Sequence, residues 1–166
     1  MKTIVVGLGN PILGDDGVGW RVAEEVKKLL TASSSLFPEG DGSVVDVECL
    51  SLGGISLMEH LIDYQRAILI DAFNLDEPLG SILTLKLSDL PDYSAFHVTS
   101  AHDTSLQMAI ELGKSMGAQL PDDVTIIGIA TIRIYDFSEE LSPLVSDAVP
   151  QAAQIVLNML KQSVTI

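Results

Sequence analysis

Cysteine and aromatic residues are scarce in this chain, and each scarcity excludes a class of protein. Cys49 is the single cysteine among 166 residues, so no intrachain disulfide, CxxC redox motif or zinc ribbon can form. Hydrophobic residues make up 47% of the chain but aromatics only 5%, so the core must consist mainly of Val, Ile, Leu and Ala, as in a buried parallel sheet. Cys49 itself lies in an alternating apolar run and is expected to be a small buried side chain rather than a nucleophile.

Basic residues are also few, with 9 Lys and Arg against 23 Asp and Glu and a formal net charge of −14. Such a protein repels phosphate backbones and anionic lipid head groups, so nucleic acids and membranes are poor candidate partners. A neutral or basic peptide suits it better, although the charge also fits a role in solubility alone. No apolar run approaches the about 20 residues of a membrane span, and none near the start resembles a secretion signal. We therefore expect a cytoplasmic protein.

The pattern of apolar residues alternates between strand and helix along the chain, which predicts one α/β domain over residues 1–166. Apolar runs at 3–6, 44–50, 67–70 and 124–130 predict buried strands, and the alternating run 80–87 predicts an edge strand. Helical spacing is found after residue 15, at 57–62, from 103 or 104 to about 116, and from Pro143, with Ser142 as the expected N-cap, to about 160. The expected fold is a three-layer sandwich, with a twisted, mainly parallel sheet between helices on both faces.

Acidic residues follow two of the predicted strands, at the end where open α/β sheets bind their ligands. Asp15 and Asp16 come after the turn-rich segment that ends the first strand, and Asp71 closes the third. Asp15 is expected to cap the helix that follows it, and Asp16 is either a helix-dipole partner or a site residue. Asp71 must be paired, hydrogen-bonded or metal-bound if the strand is buried, unless it merely caps a turn.

His102 precedes the third predicted helix and would complete a site with the two carboxylates. Two carboxylates and one imidazole suit a divalent metal such as nickel or zinc. Asp103 beside it is either the N-cap of the helix or a partner that orients the imidazole ring. His60 and His97 are weaker candidates for the metal-binding imidazole.

Several common catalytic and nucleotide-binding motifs are broken in this sequence. The third glycine of a GxGxxG fingerprint is replaced by Ile12, and the Gly113-Lys114-Ser115 stretch lacks the leading glycine of a P-loop because position 108 is Met. Neither HExxH nor GxSxG occurs, so ordinary zincin or serine-hydrolase chemistry has no support. We expect no organic cofactor.

Four stretches, in order along the chain, resemble the hydrogenase maturation proteases. The first, GLGNPILGDDGVGWRVAEEV at 7–26, is similar to the family's strand, GxGNxLxxDDGxG turn and helix. The others are ILIDAF at 68–73, HVTSAHDTSL at 97–106 and ELSPLVSDAV at 140–149. They resemble the family's strand with a terminal Asp, its His-bearing loop and the start of its last helix.

This resemblance implies an endopeptidase that removes the C-terminal extension of the nickel-containing large subunit of [NiFe]-hydrogenases. It implies that Asp16, Asp71 and His102 form the catalytic, metal-contacting site. The nickel would be supplied by the substrate, a large-subunit precursor, and would be ligated as a check that it has been inserted. Cleavage would proceed by Lewis-acid polarisation of the carbonyl or by a carboxylate acting as general base. Gly53-Gly54 would leave room for the incoming peptide.

Two other functions remain compatible with the residues. One is a non-catalytic α/β module that binds a nucleotide or a metal, with phosphate held by the loop at 7–10. The other is a self-sufficient metallohydrolase of the aminopeptidase type, which would keep a tightly bound metal of its own and cleave small peptides.

Overall fold

A five-stranded sheet lies at the centre of the molecule, as described by a computed structural model for residues 1–32, 43–74, 76–90, 93, 104–132 and 136–162. The strand order is β2-β1-β3-β5-β4, and β4 alone among these strands runs antiparallel to its neighbour, β5. The strands are β1 (Lys2–Leu8), β2 (Val44–Leu50), β3 (Arg66–Phe73), β4 (Ile82–Lys86) and β5 (Asp123–Ala130).

Helices cover both faces of this sheet, which confirms the predicted three-layer architecture. They are α1 (Val18–Ala32), α2 (Gly54–His60), α3 (Leu106–Ser115) and α4 (Pro143–Gln162). One core lies between the sheet and α1 with α4, and the other between the sheet and α2 with α3. In the described part of the chain, no helix is long and apolar enough to cross a membrane.

Close contact between α1 and the sheet depends on two glycines. A Cβ on Gly7 would lie 2.3 Å from the Gly19 carbonyl oxygen, and one on Gly19 would lie 2.4 Å from the Ile70 carbonyl oxygen. Side chains at these positions would therefore push the helix away from the strands. The absence of a Cβ lets the beginning of α1, and the turn before it, lie directly against the ends of β1 and β3.

The third strand is longer than the sequence predicted. It continues past Asp71, because Ala72 and Phe73 pair with Ile129 and Ala130 on β5. Asp71 thus lies within the strand, opposite Gly128, and the interpretation of this carboxylate as a turn cap is wrong.

Helix starts were predicted less well than strands. The segment that begins at residue 15 is first a 3-10 turn, Gly14–Gly17, and becomes α-helical only at Val18. The third helix begins at Leu106, and its N-cap is Ser105, whose side chain accepts a hydrogen bond from the Met108 amide. Asp103 is therefore not the N-cap of α3.

Candidate active site

The carboxyl ends of β1, β2, β3 and β5 form one edge of the sheet, which we call the carboxyl rim. Pairing between β1 and β3 ends at Gly7 and Ile70, one residue before Asp71. Beyond β1 the chain turns through residues 9–17, the rim loop. Gly9 has φ of 127°, and a Cβ there would lie 1.9 Å from the Asp16 carbonyl oxygen. Only glycine permits this return of the loop over the end of β1.

Asp16 is a partly exposed carboxylate on the rim loop. Its Oδ2 accepts a 2.8 Å hydrogen bond from the Asn10 amide, which closes the loop on itself. The carbonyl of Asn10 in turn accepts a 3.1 Å bond from the Leu13 amide. These short-range bonds give Asp16 a defined place at the rim, where the residue is partly exposed.

Asp71 is completely buried, with 0% of its surface exposed. Its Oδ1 accepts a 2.9 Å hydrogen bond from the Ala72 amide, and its Oδ2 accepts a 2.8 Å bond from the Tyr93 hydroxyl. These two donors come from the next residue on β3 and from a distant segment of the chain. This agrees with the expectation that a carboxylate in this strand must be hydrogen-bonded.

Tyr93 is buried on the face of the sheet covered by α2 and α3, and its ring stacks on Phe73 at a centroid distance of 5.9 Å. Burial, followed by the charge and hydrogen bond of Asp71, raises the pKa of Tyr93 well above its usual value. The hydroxyl therefore stays protonated and remains a hydrogen-bond donor at neutral pH.

Asp15 has a different role from its neighbour. Its Oδ1 accepts a 2.6 Å hydrogen bond from the Ser142 amide, and its Oδ2 accepts a 2.8 Å bond from the Ser142 hydroxyl. Ser142 directly precedes α4, as predicted, and its hydroxyl donates a hydrogen bond to Asp15. The expectation that Asp15 caps the helix that follows it is wrong, because it fastens the rim loop to the start of α4.

Comparisons with known proteins agree with this fold. The family model for hydrogenase maturation proteases matches residues 42–159. The chain belongs to the hydrogenase maturation protease family. It is accordingly a peptidase, and a non-catalytic binding module is disfavoured.

Individual relatives of the protease are distant in sequence. The hydrogenase expression/formation protein HupD of Thiocapsa roseopersicina is 24% identical over 163 residues, covering 97% of this chain and 68% of HupD. A hydrogenase 2 maturation peptidase from a Thaumarchaeota archaeon is 30% identical, with a TM-score of 0.64 and coverage of 96% and 98% of the two chains. The Escherichia coli endopeptidase HybD is 22% identical with a TM-score of 0.72, covering 98% of this chain and 94% of its own.

Asp16 and Asp71 of the protease both lie at the carboxyl rim, and the site roles of these two residues and of His102 stay predictions. His102 and His97 lie outside the described residues, as does Asp103. Within the described residues, no group of three His, Cys, Asp or Glu side chains is placed to hold a metal ion.

Described residues on either side of this segment lie close to the candidate site. The Tyr93 carbonyl accepts a 2.8 Å hydrogen bond from the Leu106 amide. A Cβ on Gly54, which has φ of +51°, would lie 2.8 Å from the Thr104 carbonyl oxygen. In sequence, His102 is two residues before Thr104.

Two other reactive side chains of the protease are engaged elsewhere. His60 Nδ1 lies 3.1 Å from Glu48 Oε2 in an exposed pair. Cys49 is half-buried and packs against the core of α1 and α4. Burial, with a smaller effect of Glu24, raises the pKa of the Cys49 thiol, which disfavours the thiolate and agrees with the expected packing role.

Tyr93 was missed by the sequence analysis. It occurs in a segment with turn residues and no periodic pattern, Leu90-Pro91-Asp92-Tyr93-Ser94. The available signal was an aromatic residue in a polar segment of a chain with few aromatics, which indicates a specific contact but does not identify its partner.

Proposed function

We propose that this protease removes the C-terminal extension of a nickel-loaded [NiFe]-hydrogenase large-subunit precursor in the cytoplasm. The observation that carries the proposal is a completely buried carboxylate, Asp71, at the carboxyl rim, held in position by the Ala72 amide and the Tyr93 hydroxyl. A carboxylate held in this way is a suitable ligand for a divalent cation.

Nickel bound to the precursor would be ligated by Asp71 together with Asp16 and His102. Asp16 supports this assignment because it is partly exposed and lies over the end of β1, beside the strand that carries Asp71. Carboxylates and imidazole can bind nickel, and the metal itself arrives with the substrate. Ligation of this ion would couple cleavage to prior insertion of nickel.

Hydrolysis of the amide has two candidate routes. Nickel would polarise the scissile carbonyl as a Lewis acid, or one of the two carboxylates would activate water as a general base. Asp16, the more exposed carboxylate, is the better placed of the two for water. The acidic chain, with a net charge of −14, favours a neutral or basic peptide extension.

The proposal is tested by incubating the purified protease with nickel-loaded and nickel-free large-subunit precursor and reading the products by mass spectrometry. We expect one shortened product, formed from the nickel-loaded precursor alone. Equal cleavage of both forms would contradict the sensing of nickel, and no cleavage of either would contradict the choice of substrate.

A self-sufficient metallohydrolase is distinguished in the same experiment by two controls. It would retain stoichiometric metal after purification and would cleave small generic peptides. The proposed maturation activity predicts little retained metal and no turnover of those peptides.

A further inference from the structure

Tyr93 is held at the carboxyl rim by ring stacking, two backbone hydrogen bonds and a side-chain hydrogen bond. Only 3% of its surface is exposed, and its ring stacks on Phe73 with an interplanar angle of 7°. Its amide donates to the Leu90 carbonyl at 3.0 Å, and its carbonyl accepts from the Leu106 amide at 2.8 Å. The hydroxyl therefore reaches Asp71 from a rigid support that joins β3 to the start of α3.

The orientation of an Asp carboxylate is weakly determined by its own side chain, because its terminal torsion is broad and roughly two-fold. The Ala72 amide holds Oδ1 of Asp71, and the Tyr93 hydroxyl holds Oδ2. Two donors on two different oxygens define the plane of the group. A carboxylate oxygen can accept more than one bond, so a hydrogen bond from Tyr93 is compatible with ligation of a metal ion by the same group.

We infer that Tyr93 is a positioning residue, whose hydroxyl orients the Asp71 carboxylate for the nickel of the precursor; this inference rests on the proposed function. Tyr93 acts through Asp71, since its hydroxyl is bonded to that side chain and its ring is buried. Partners that orient the ligands of a metal site commonly contribute 10- to 100-fold to affinity or activity.

The chain offers a matched control for removal of this hydroxyl. Tyr64 also donates its hydroxyl to a carboxylate, Asp46 Oδ2, at 2.7 Å. Asp46 pairs with Ile4 on β1, four residues before the end of β2. Tyr64→Phe thus deletes the same type of bond at a position remote from the carboxyl rim.

The experiment compares wild type, Tyr93→Phe and Tyr64→Phe as full chains. Phenylalanine keeps the ring that stacks on Phe73, so the fold should be retained, as checked by circular dichroism and thermal unfolding. We measure kcat/KM for nickel-loaded precursor by mass spectrometry, and the affinity for nickel-free precursor by calorimetry. A crystal structure of Tyr93→Phe gives the orientation of Asp71.

We expect Tyr93→Phe to lower kcat/KM by about 10- to 100-fold, to bind nickel-free precursor as wild type does, and to show a rotated Asp71 carboxylate. Tyr64→Phe should stay within about two-fold of wild type in kcat/KM, since this part-buried bond lies away from the carboxyl rim and phenylalanine keeps the packing of the ring. Activity of Tyr93→Phe equal to that of Tyr64→Phe would overturn the inference. A loss of affinity for nickel-free precursor as large as the loss in kcat/KM would also overturn the inference, because that result indicates general structural damage.

Failure of the proposed function is recognised separately. If wild type does not cleave nickel-loaded precursor, the choice of substrate is wrong, and the crystal structure then decides the role of Tyr93. An Asp71 carboxylate with unchanged orientation in Tyr93→Phe would overturn the positioning role whatever the substrate.

Discussion

The two faces of the sheet are covered by helices of different length and carry different side chains. On one face, α1 and α4 have 15 and 20 residues and pack aliphatic side chains against Ile68, Ile70 and Ala72. On the other, α2 and α3 have 7 and 10 residues. Because side chains alternate along a strand, Asp71 belongs to this second face, together with Phe73 and Tyr93.

This difference separates a face that supplies packing from the face that carries the candidate chemistry. Both faces bury an apolar core, which is the main source of folding free energy, but the buried residues of the core under α1 and α4 are all aliphatic. The shorter helices leave room at the carboxyl rim for a buried carboxylate and its hydrogen-bonding partners. The rim loop connects the two faces, since Asp15 contacts the start of α4 while Asp16 lies at the candidate site.

The largest expected effect is loss of activity in Asp71→Asn. Asparagine keeps the size of the side chain but removes the charge that would bind nickel. Processing of nickel-loaded precursor, read by mass spectrometry, should fall by more than about 100-fold, since even outer partners of metal ligands contribute 10- to 100-fold. The fold should survive, because an amide oxygen still accepts one of the two hydrogen bonds.

Asp46→Asn is the matched control, because Asp46 accepts the same kind of hydrogen bond from Tyr64. It should process precursor at close to the wild-type rate. Full activity in Asp71→Asn would show that the charge of Asp71 is not needed for cleavage. It would contradict the assignment of the catalytic site to the face that carries α2 and α3.

A smaller effect, on stability, is expected for Asp15→Ala. This change removes both hydrogen bonds to Ser142, one of which comes from a backbone amide. Bonds to a charged acceptor contribute about 1.5–3 kcal/mol each, and water can replace part of this, so the net loss should be about 2 kcal/mol. Urea unfolding provides the measurement.

Ser142→Ala sharpens this test, because it removes only the hydroxyl and keeps the amide donor. Its cost should be about 1 kcal/mol, roughly half that of Asp15→Ala. Unfolding free energies equal to wild type in both variants would mean that the contact between the rim loop and α4 contributes nothing to stability.

Local patterns predicted most of the fold, since they are set by short-range spacing. The strand at 44–50 was predicted with the bounds that the structure gives, and the edge position of β4 followed from its alternation. The end of β3 was missed, because Ala72 and Phe73 are held in the strand by pairing with β5. That pairing joins residues more than 50 positions apart, so it produces no pattern in the sequence near Ala72 and Phe73.

The place of the candidate site was easier to predict than its contacts. Residue type and strand position indicated that Asp16 and Asp71 lie at the carboxyl rim, as the structure shows, while the site roles of Asp16, Asp71 and His102 all stay predictions. The partners of the acidic groups could not be read from the sequence: Asp15 contacts Ser142, which is 127 residues away, and Asp71 contacts Tyr93, which is 22 residues away. Nothing in local sequence distinguishes Asp15, which holds the loop, from Asp16 beside it.

The smallest expected effect concerns Cys49, which packs on the face of α1 and α4. Burial raises the pKa of its thiol from 9.0, and the thiolate is the reactive form. Alkylation by iodoacetamide at pH 8, followed by mass spectrometry, should therefore be slower than for an exposed cysteine peptide, and should accelerate as the pH rises above 9.0. Cys49→Ser should process precursor normally, because this face supplies packing alone. Loss of processing in that variant would show that the only thiol in the chain takes part in the reaction. The face of α1 and α4 would then carry a reactive group, which would contradict its assignment to packing alone.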